Sequence, residues 1–489
     1  MGGKSRLRQL EQENAELRKM LSRATQELVS ARAEIAALRQ QVSELSGVVA
    51  ELRAKLSQNS QNSSKPPSSD PPGAPSAPVK EKTGRKCGGQ PGHQRHTRPL
   101  VPEDQVKQTH EYRPERCCSC GCSLEGVEGT FERYQTTEIP EPRAEVTENR
   151  QYTVVCPRCD CKTTAPMPAE AYQFLGLRAL GVISLLSGVC RLSKRKVREV
   201  MWDLFKVSLA DGSVPASEHL VSMSVAPAVA EAHEEVRKQP VKHADETPWY
   251  HGISRARAYM WMATTGQLTI FLVQMSRSAA CARDLLGKAL GILVTDRYKG
   301  YDWWPIERRQ LCWAHIKRDI QAVIDAGGPA CRLGRRLERQ RRKLFTWWHL
   351  ARSGTISRET LQFHVVTIRR AFGELLAAGA LCSHQPTAGT CKDLLRLEPA
   401  LWTFAFHEGV EPTNNLGERT IRHAVILRKL SYGTHSDAGA RYVERILTVH
   451  ASLRMQGRDV LTFLVDSLRA HLAKTQHPSL LPAPAPPLP

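Results

Sequence analysis

No stretch of the 489 residues is apolar and long enough to cross a bilayer. The opening MGGKSRLRQLEQEN has no apolar signal region, and Ser5 falls one place short of a myristoylation pattern. These absences lead us to expect a soluble, intracellular protein with no membrane partner. There is no GxxxxGK loop closed by Ser or Thr, so an ATP-driven mechanism is not indicated. The HEG at His407 lacks the HExxH spacing of a zinc protease helix. Acid is scarce: 49 Asp and Glu stand against 69 Lys and Arg, for a formal net charge of +20. Such a surplus favours a polyanionic partner, usually nucleic acid.

Hydrophobic residues make up 41% of the chain, enough for real cores, and the length suits several domains. Residues 1–56 hold a heptad pattern. Leu10, Leu17, Ala24, Ala31, Leu38, Leu45 and Leu52 form one row. Asn14, Leu21, Leu28, Ile35, Val42, Val49 and Leu56 form the other. Leu on the first row with β-branched residues on the second fits a parallel two-stranded coiled coil, with Asn14 setting register. A homodimer or higher oligomer is therefore expected; a long amphipathic helix packed on its own chain fits the same pattern.

From 57 to 105 the composition turns to Ser, Asn, Pro, Gly and Lys, too poor in apolar groups to offset the entropy of ordering. A flexible basic linker is expected, with Lys80, Lys82, Arg85, Lys86, Arg95 and Arg98 available to phosphates. In 106–168, RCCSCGC and VVCPRCDC each hold a Cys-x-x-Cys: Cys117 with Cys120, and Cys156 with Cys159. Two such pairs close a tetrahedral structural zinc site of zinc-ribbon type. Cys118, Cys122 and Cys161 are spare, so the ligand set stays open by one residue. The intervening segment alternates like short strands.

Residues 169–226 read as helices. Ser193 precedes KRKVREVMWDLF as a cap, and the helix pair resembles a helix-turn-helix with Lys194, Arg195 and Lys196 facing phosphate. In 227–435, VKHA is a short strand ending at Asp245; RAYMWMATTG and LTIFLVQMS are paired strands; SAACARDLLGKAL is a helix. GILVT is a buried strand that ends at Asp296. This order suits a ribonuclease-H-like sheet. Two carboxylates at adjacent strand ends repel, and shared Mg²⁺ or Mn²⁺ offsets the repulsion. Two such ions serve in-line phosphoryl displacement. Glu418 would arrive as a third carboxylate on a helix after EPTNN, with Arg422 one turn on and Lys429 on the same side. By itself that helix also fits a solvated ion pair. Glu411 is the reserve for the third acid. Asp296 and Glu418 are 122 residues apart, and about 305–400 between them reads as a helical insertion with a basic face. Its Trp313, Trp347 and Trp348, like Trp303 and Trp304, suit core roles, with base stacking as an alternative. Helices at 436–475 and a proline-rich, disordered tail at 476–489 complete a multidomain α+β chain.

DETPW at Asp245, TDRYKGYD at Asp296, CWAHIKRD, and EPTNNLGERTIRHAVILRK resemble the DDE transposases of the insertion-sequence sixty-six family, TnpC type. The similarity extends to the coiled coil, SSKPPSSD, GGQPGH and the cysteine module. It implies a transposase of the bacterial cytosol and nucleoid that binds element ends in double-stranded DNA. Such an enzyme hydrolyses a phosphodiester and joins the freed 3′-hydroxyl to target DNA, with Asp245, Asp296 and Glu418 as magnesium ligands and helper proteins as possible partners. Arg297 departs from the small residue usual after the second Asp. Two rival readings are a dimeric zinc-containing DNA-binding regulator with an inert sheet, and a host nuclease of the same fold.

Overall fold

The structure, a computed structural model, describes residues 3–56, 58, 59, 62 and 98–482. Helix α1 (Gly3–Leu56) runs unbroken for 54 residues, about 80 Å at 1.5 Å per residue. Leu10, Leu17, Leu38, Leu45 and Leu52 of one heptad row are exposed along it, as are Leu21, Leu28, Ile35, Val42 and Val49 of the other. The linker's basic residues from Lys80 to Arg95 lie outside the described residues.

The chain divides into two compact units, the smaller built from residues 75–174 and 192–217. In it, β1 (Thr153–Val155) and β2 (Lys162–Thr164) form an antiparallel hairpin around the second cysteine pair. Of the strands expected between the cysteine pairs only β1 at the end of the segment forms: residues 125–152 are irregular and exposed, so alternation there has nothing to bury. Residues 175–191 of the larger unit hold α2 (Leu177–Ser184). Helix α3 (Lys194–Phe205), in the smaller unit, starts at Ser193, whose side chain accepts from the Lys196 N–H.

After α4 (Ser213–Lys238), the larger unit forms a five-stranded sheet. Its strands are β3 (Val241–His251), β4 (Ala256–Thr264), β5 (Thr269–Gln274), then β6 (Ile292–Thr295) and β7 (Arg309–Leu311), with α5 (Ala279–Leu286) between β5 and β6. Their order is β5-β4-β3-β6-β7. The first three are antiparallel; β6 and β7 run parallel to β3. Two expectations need correction. Strand β3 continues six residues past Asp245 to His251, because Thr247 to His251 pair with β4, so Asp245 is inside the strand. The segment 305–400 is not wholly helical, because Arg309–Leu311 joins the sheet. Its polar side chains bond internally: Arg309 Nη1 donates to Asp302 at 2.9 Å, although its buried Nε has no partner among the described residues, and Gln310 accepts the Phe404 N–H at 2.8 Å.

Helices α6 (Trp313–Asp325), α7 (Gly328–Arg352), α8 (Arg358–Ala380), α9 (Gln385–Arg396) and α10 (Thr403–Phe406) follow. They share a core of Trp313, Leu337, Trp348, Phe372 and Trp402, continuous with Val294 and Leu311 of the sheet. On α7, Arg332, Arg335, Arg336 and Arg339 are exposed. Helices α11 (Asn415–Ser431) and α12 (Asp437–Met455) cover Trp249, Met260, Met262 and Phe271 through Ile421, Ala424 and Leu447. A further core joins Trp261, Ala263 and Ile270 to α4, α12 and α13 (Val460–Ala473).

Both sheet edges are closed. On β5, the free N–H groups of Thr269, Phe271 and Val273 donate to Ser452, Thr448 and Glu444, one turn apart on α12. On β7, the Arg309 carbonyl accepts from the Thr403 hydroxyl at 2.5 Å. The tail expected to be disordered is docked as far as residue 482. Leu480 is buried, its carbonyl accepts from Gln456 at 2.8 Å, and Arg458 donates to the Ser479 and Leu481 carbonyls. Leucines inside the proline-rich sequence supply the apolar anchor; residues 483–489 lie outside the described residues.

Candidate active site

The parallel pairing of β3 with β6 runs from Val241–Ile292 to His243–Val294. Asp245 and Asp296 each stand two residues beyond that last pair. The shared register therefore puts both at the end of the β3–β6 ladder, whatever their distance in sequence. Asp245 is half-buried, with one oxygen accepting the Glu246 N–H at 2.9 Å. Burial drives its carboxyl well above the ordinary carboxylate range, and the charges of Glu246, Asp296 and Glu418 push the same way. Three remote acids thus fall within one electrostatic neighbourhood. Asp296 is steadied by the Tyr298 N–H at 2.8 Å.

Glu418 lies in the first turn of α11, and Asn414 fixes where that helix starts. The Asn414 side chain does not cap the helix. It bonds instead to His243 Nδ1 and the Ala244 carbonyl, each at 2.9 Å, on the strand beside Asp245. Its backbone N–H meets Cys312 Sγ at 3.1 Å, and its carbonyl accepts the Glu418 N–H at 2.9 Å. Burial depresses the His243 pKa, which keeps the ring neutral and its Nδ1–H available to the Asn414 oxygen. Glu411 lies in the loop before α11.

Glu246 and Cys312 were not singled out by sequence, whereas His315 suited a phosphate hydrogen bond or a structural role. Glu246, its side chain 1% exposed, pairs with Arg277 at 2.5 Å and accepts from the Tyr301 hydroxyl at 2.6 Å. Burial and the charge of Asp296 push its carboxyl upward. Cys312 and His315, in the CWAH motif opening α6, reach Glu418: Sγ to Oε1 is 3.8 Å, and Nδ1 to Oε1 is 3.5 Å. Burial pushes the Cys312 thiol up to about 11. Arg297, odd in sequence, is bound to Asp319 at 2.8 Å and Asp393 at 2.7 Å, tying the end of β6 to α6 and α9. Trp304, Trp313 and Trp348 are buried in the cores, and Trp347 stacks on His364 at 3.5 Å.

Arg422 and Lys429 are exposed on α11, the same helix as Glu418. Lys194, Arg195 and Lys196 are exposed in the first turn of α3, where Lys196 pairs with Glu199. The cysteine segments fold into two matching turns. Cys117 N–H bonds to Cys122 O and Gly121 N–H to Cys117 O; Cys156 N–H bonds to Cys161 O and Asp160 N–H to Cys156 O, all at 2.9 Å. Gly121 and Asp160 hold equivalent left-handed positions, φ 72° and 53°. The sulfurs of Cys117, Cys120 and Cys122 lie within 4.8 Å of one another, and among the described residues Cys156 and Cys159 do not join that group. Backbone N–H donors lower the thiol pKa values of Cys117, to about 7, and of Cys156.

A family model described as Transposase IS66 family matches residues 197–442, half of the chain, from α3 into α12 and across the whole acidic cluster. The chain belongs to the IS66 transposase family. A second model, a family of unknown function (DUF6444), matches residues 6–99, which take in α1. No curated protein matches the chain. Membership assigns the sheet, the inserted helices and α11 to the matched transposase region. No helix among the described residues is long and apolar enough to cross a membrane.

Proposed function

We propose that this IS66-family transposase works by DDE chemistry on DNA. In this reading Asp245, Asp296 and Glu418 hold Mg²⁺ or Mn²⁺ at the open end of a ribonuclease-H-like sheet. The observation that supports it is the convergence of the three acids, two by strand register and one by the Asn414 clamp. The strand order, three antiparallel strands followed by two parallel ones, supports the fold assignment. The donor set suits a divalent ion: hard carboxylate oxygens, with like charges pressing on Asp245. When bound, such ions supply charge stabilisation to the attacking and leaving oxygens.

The chain's own residues do the rest. Asn414 orients Glu418 toward the aspartates. Arg277 and Tyr301 hold Glu246 in place, so its charge adds to the field at Asp245. Arg422 and Lys429 meet phosphates on the exposed side of α11, and the exposed arginines of α7 offer further cations to DNA. Lys194, Arg195 and Lys196 crowd a helix N-terminus, where the helix dipole disfavours cations; a phosphate backbone accounts for that placement. The matching cysteine turns support a structural zinc module drawing on Cys117, Cys120, Cys156 and Cys159. The uncovered heptad rows support pairing through α1.

The experiment is a Mg²⁺-dependent nicking and strand-transfer assay on DNA carrying the element ends. Asp245→Asn, Asp296→Asn and Glu418→Gln should abolish cleavage while end binding persists. Glu411→Gln should retain it. Cleavage by Asp245→Asn or Glu418→Gln at wild-type rates overturns the assignment.

A further inference from the structure

The pocket beside the aspartates contains a donor set of a different chemical kind. Cys312, the N-cap residue of α6 directly after β7, and His315, in the first turn of α6, stand three residues apart at the start of that helix. Glu418 arrives opposite them on α11. Their ligand atoms, a thiol sulfur, an imidazole nitrogen and a carboxylate oxygen, all lie within 4.8 Å of one another. The separations from Glu418 Oε1 are 3.8 Å to Cys312 Sγ and 3.5 Å to His315 Nδ1. Bonds of about 2.3 Å to sulfur and about 2.0–2.2 Å to nitrogen and oxygen at tetrahedral angles place donors roughly 3.3–3.6 Å apart. The two separations from Glu418 exceed that by a few tenths of an ångström at most, and the Cys312 and His315 ligand atoms lie within 4.8 Å of each other.

Two further details favour a ligand. His315 Nδ1 is buried and has no hydrogen-bond partner, although it faces the carboxylate. A buried ring nitrogen in that condition is costly unless something takes its lone pair or proton. Cys312 Sγ already accepts the backbone N–H of Asn414 at 3.1 Å, the kind of outer bond that steadies a ligating thiolate. The remaining contact of the sulfur is to Glu418, where a metal would replace the thiol hydrogen and release that proton to solvent.

We propose that Cys312, His315 and Glu418 form a binding site for a thiophilic divalent cation, with Zn²⁺ the best match to a sulfur, nitrogen and oxygen donor set. Three protein donors leave the fourth position open to water or a phosphate oxygen. Both measured contacts to Glu418 use Oε1, so the second carboxylate oxygen is not committed to this pocket. Glu418 then links a soft site to the hard site of the aspartates. The inference rests on the reading of Glu418 as the third acid, but its test is separate from catalysis.

The test counts zinc in the purified full-length protein after excess metal is removed, by mass spectrometry of the metal. It compares wild type with Cys312→Ser, His315→Gln and Asp245→Asn. Loss of one zinc equivalent per chain in both Cys312→Ser and His315→Gln, with zinc retained in Asp245→Asn, is expected. Protein grown in Co²⁺ should show thiolate-to-cobalt absorption that falls by the same single site in Cys312→Ser, above the background from the cysteine turns. Thermal melts verify folding, and His315→Gln decides if Cys312→Ser misfolds. Equal zinc in wild type and folded His315→Gln overturns the site. An Asp245→Asn protein that still transfers strands sinks the catalytic reading and leaves the zinc count unaffected.

Discussion

Replacing Asn414 should damage fold and site together, and the structure sets the scale. Asn414 is 1% exposed and joins α11 to β3 through two side-chain bonds of 2.9 Å, to His243 and to the Ala244 carbonyl. Asn414→Ala leaves a buried imidazole N–H and a buried carbonyl short of a partner. At about 1–3 kcal/mol for each buried group left unsatisfied, a loss of about 2–6 kcal/mol follows. For a unit of this size that corresponds to a melting-temperature drop of about 3–10 °C. The backbone carbonyl that accepts the Glu418 N–H persists, but α11 loses its side-chain tie to β3, and a displacement of Glu418 near 1 Å would cost about 100-fold in rate if it serves catalysis as proposed. Gly417 tests the same clamp from the other side. A Cβ there would sit 2.6 Å from Asn414 Oδ1 and 2.9 Å from Nδ2. Gly→Ala inside a helix ordinarily stabilises by about 1 kcal/mol, so destabilisation by Gly417→Ala would have the opposite sign to propensity. The assays are thermal melting by circular dichroism and strand transfer on end-containing DNA. Asn414→Ala with unchanged melting and unchanged strand transfer would refute the clamp, as would a Gly417→Ala that raises the melting temperature.

Three other outcomes follow from the electrostatics. Asp245 has a raised pKa, so the folded state holds its proton more tightly than the unfolded chain; stability is present at acid pH and lost as pH rises. In chelator at neutral pH, Asp245→Asn should therefore melt higher than wild type, with the gap closing toward acid pH, even as cleavage disappears; a lower melting temperature at neutral pH contradicts this. Glu444 is raised from 4.5 to about 7 by burial, so stability should fall as pH rises from 4.5 to about 7. At about 1.36 kcal/mol per pKa unit the ceiling is about 3 kcal/mol. Glu444→Gln keeps an acceptor for the Val273 N–H and should flatten that slope in urea titrations run across the window; an unchanged slope counts against it. Replacing Lys194, Arg195 and Lys196 with Ala should lower the slope of log affinity against log salt by up to about 2.7, at about 0.9 per phosphate contact. Binding isotherms at several salt concentrations read this directly, and an unchanged slope removes α3 from the DNA contact.

Asp296 was legible in the sequence because Ile292–Thr295 is a short buried strand, so the acid that follows it falls at a strand end inside the sheet. Asp245 was placed one step wrong, at a strand end, because the polar and aromatic residues after it gave no apolar signal, yet they pair with β4 throughout. Strand β7 escaped notice since Arg309 and Gln310 look like loop residues until their bonds to Asp302, Thr403 and Phe404 are seen. The Asn414 clamp joins residues about 170 positions apart and leaves no local trace. Cys312 and His315 did leave one, the three-residue spacing in CWAH; what was missing was Glu418 across from it. The unusual Arg297 makes sense only beside Asp319 and Asp393, which the intervening helices bring back to it.

Ser452, Thr448 and Glu444 occupy alternate amides of the outermost strand as an incoming β-strand would, and Thr403 does the like at the opposite border. A neighbouring molecule therefore finds no vacant main-chain donors along β5 on which to add a strand, and templated β-stacking is suppressed. If copies pair through α1 as proposed, truncating the first 56 residues should disperse the assembly without disturbing the sheet.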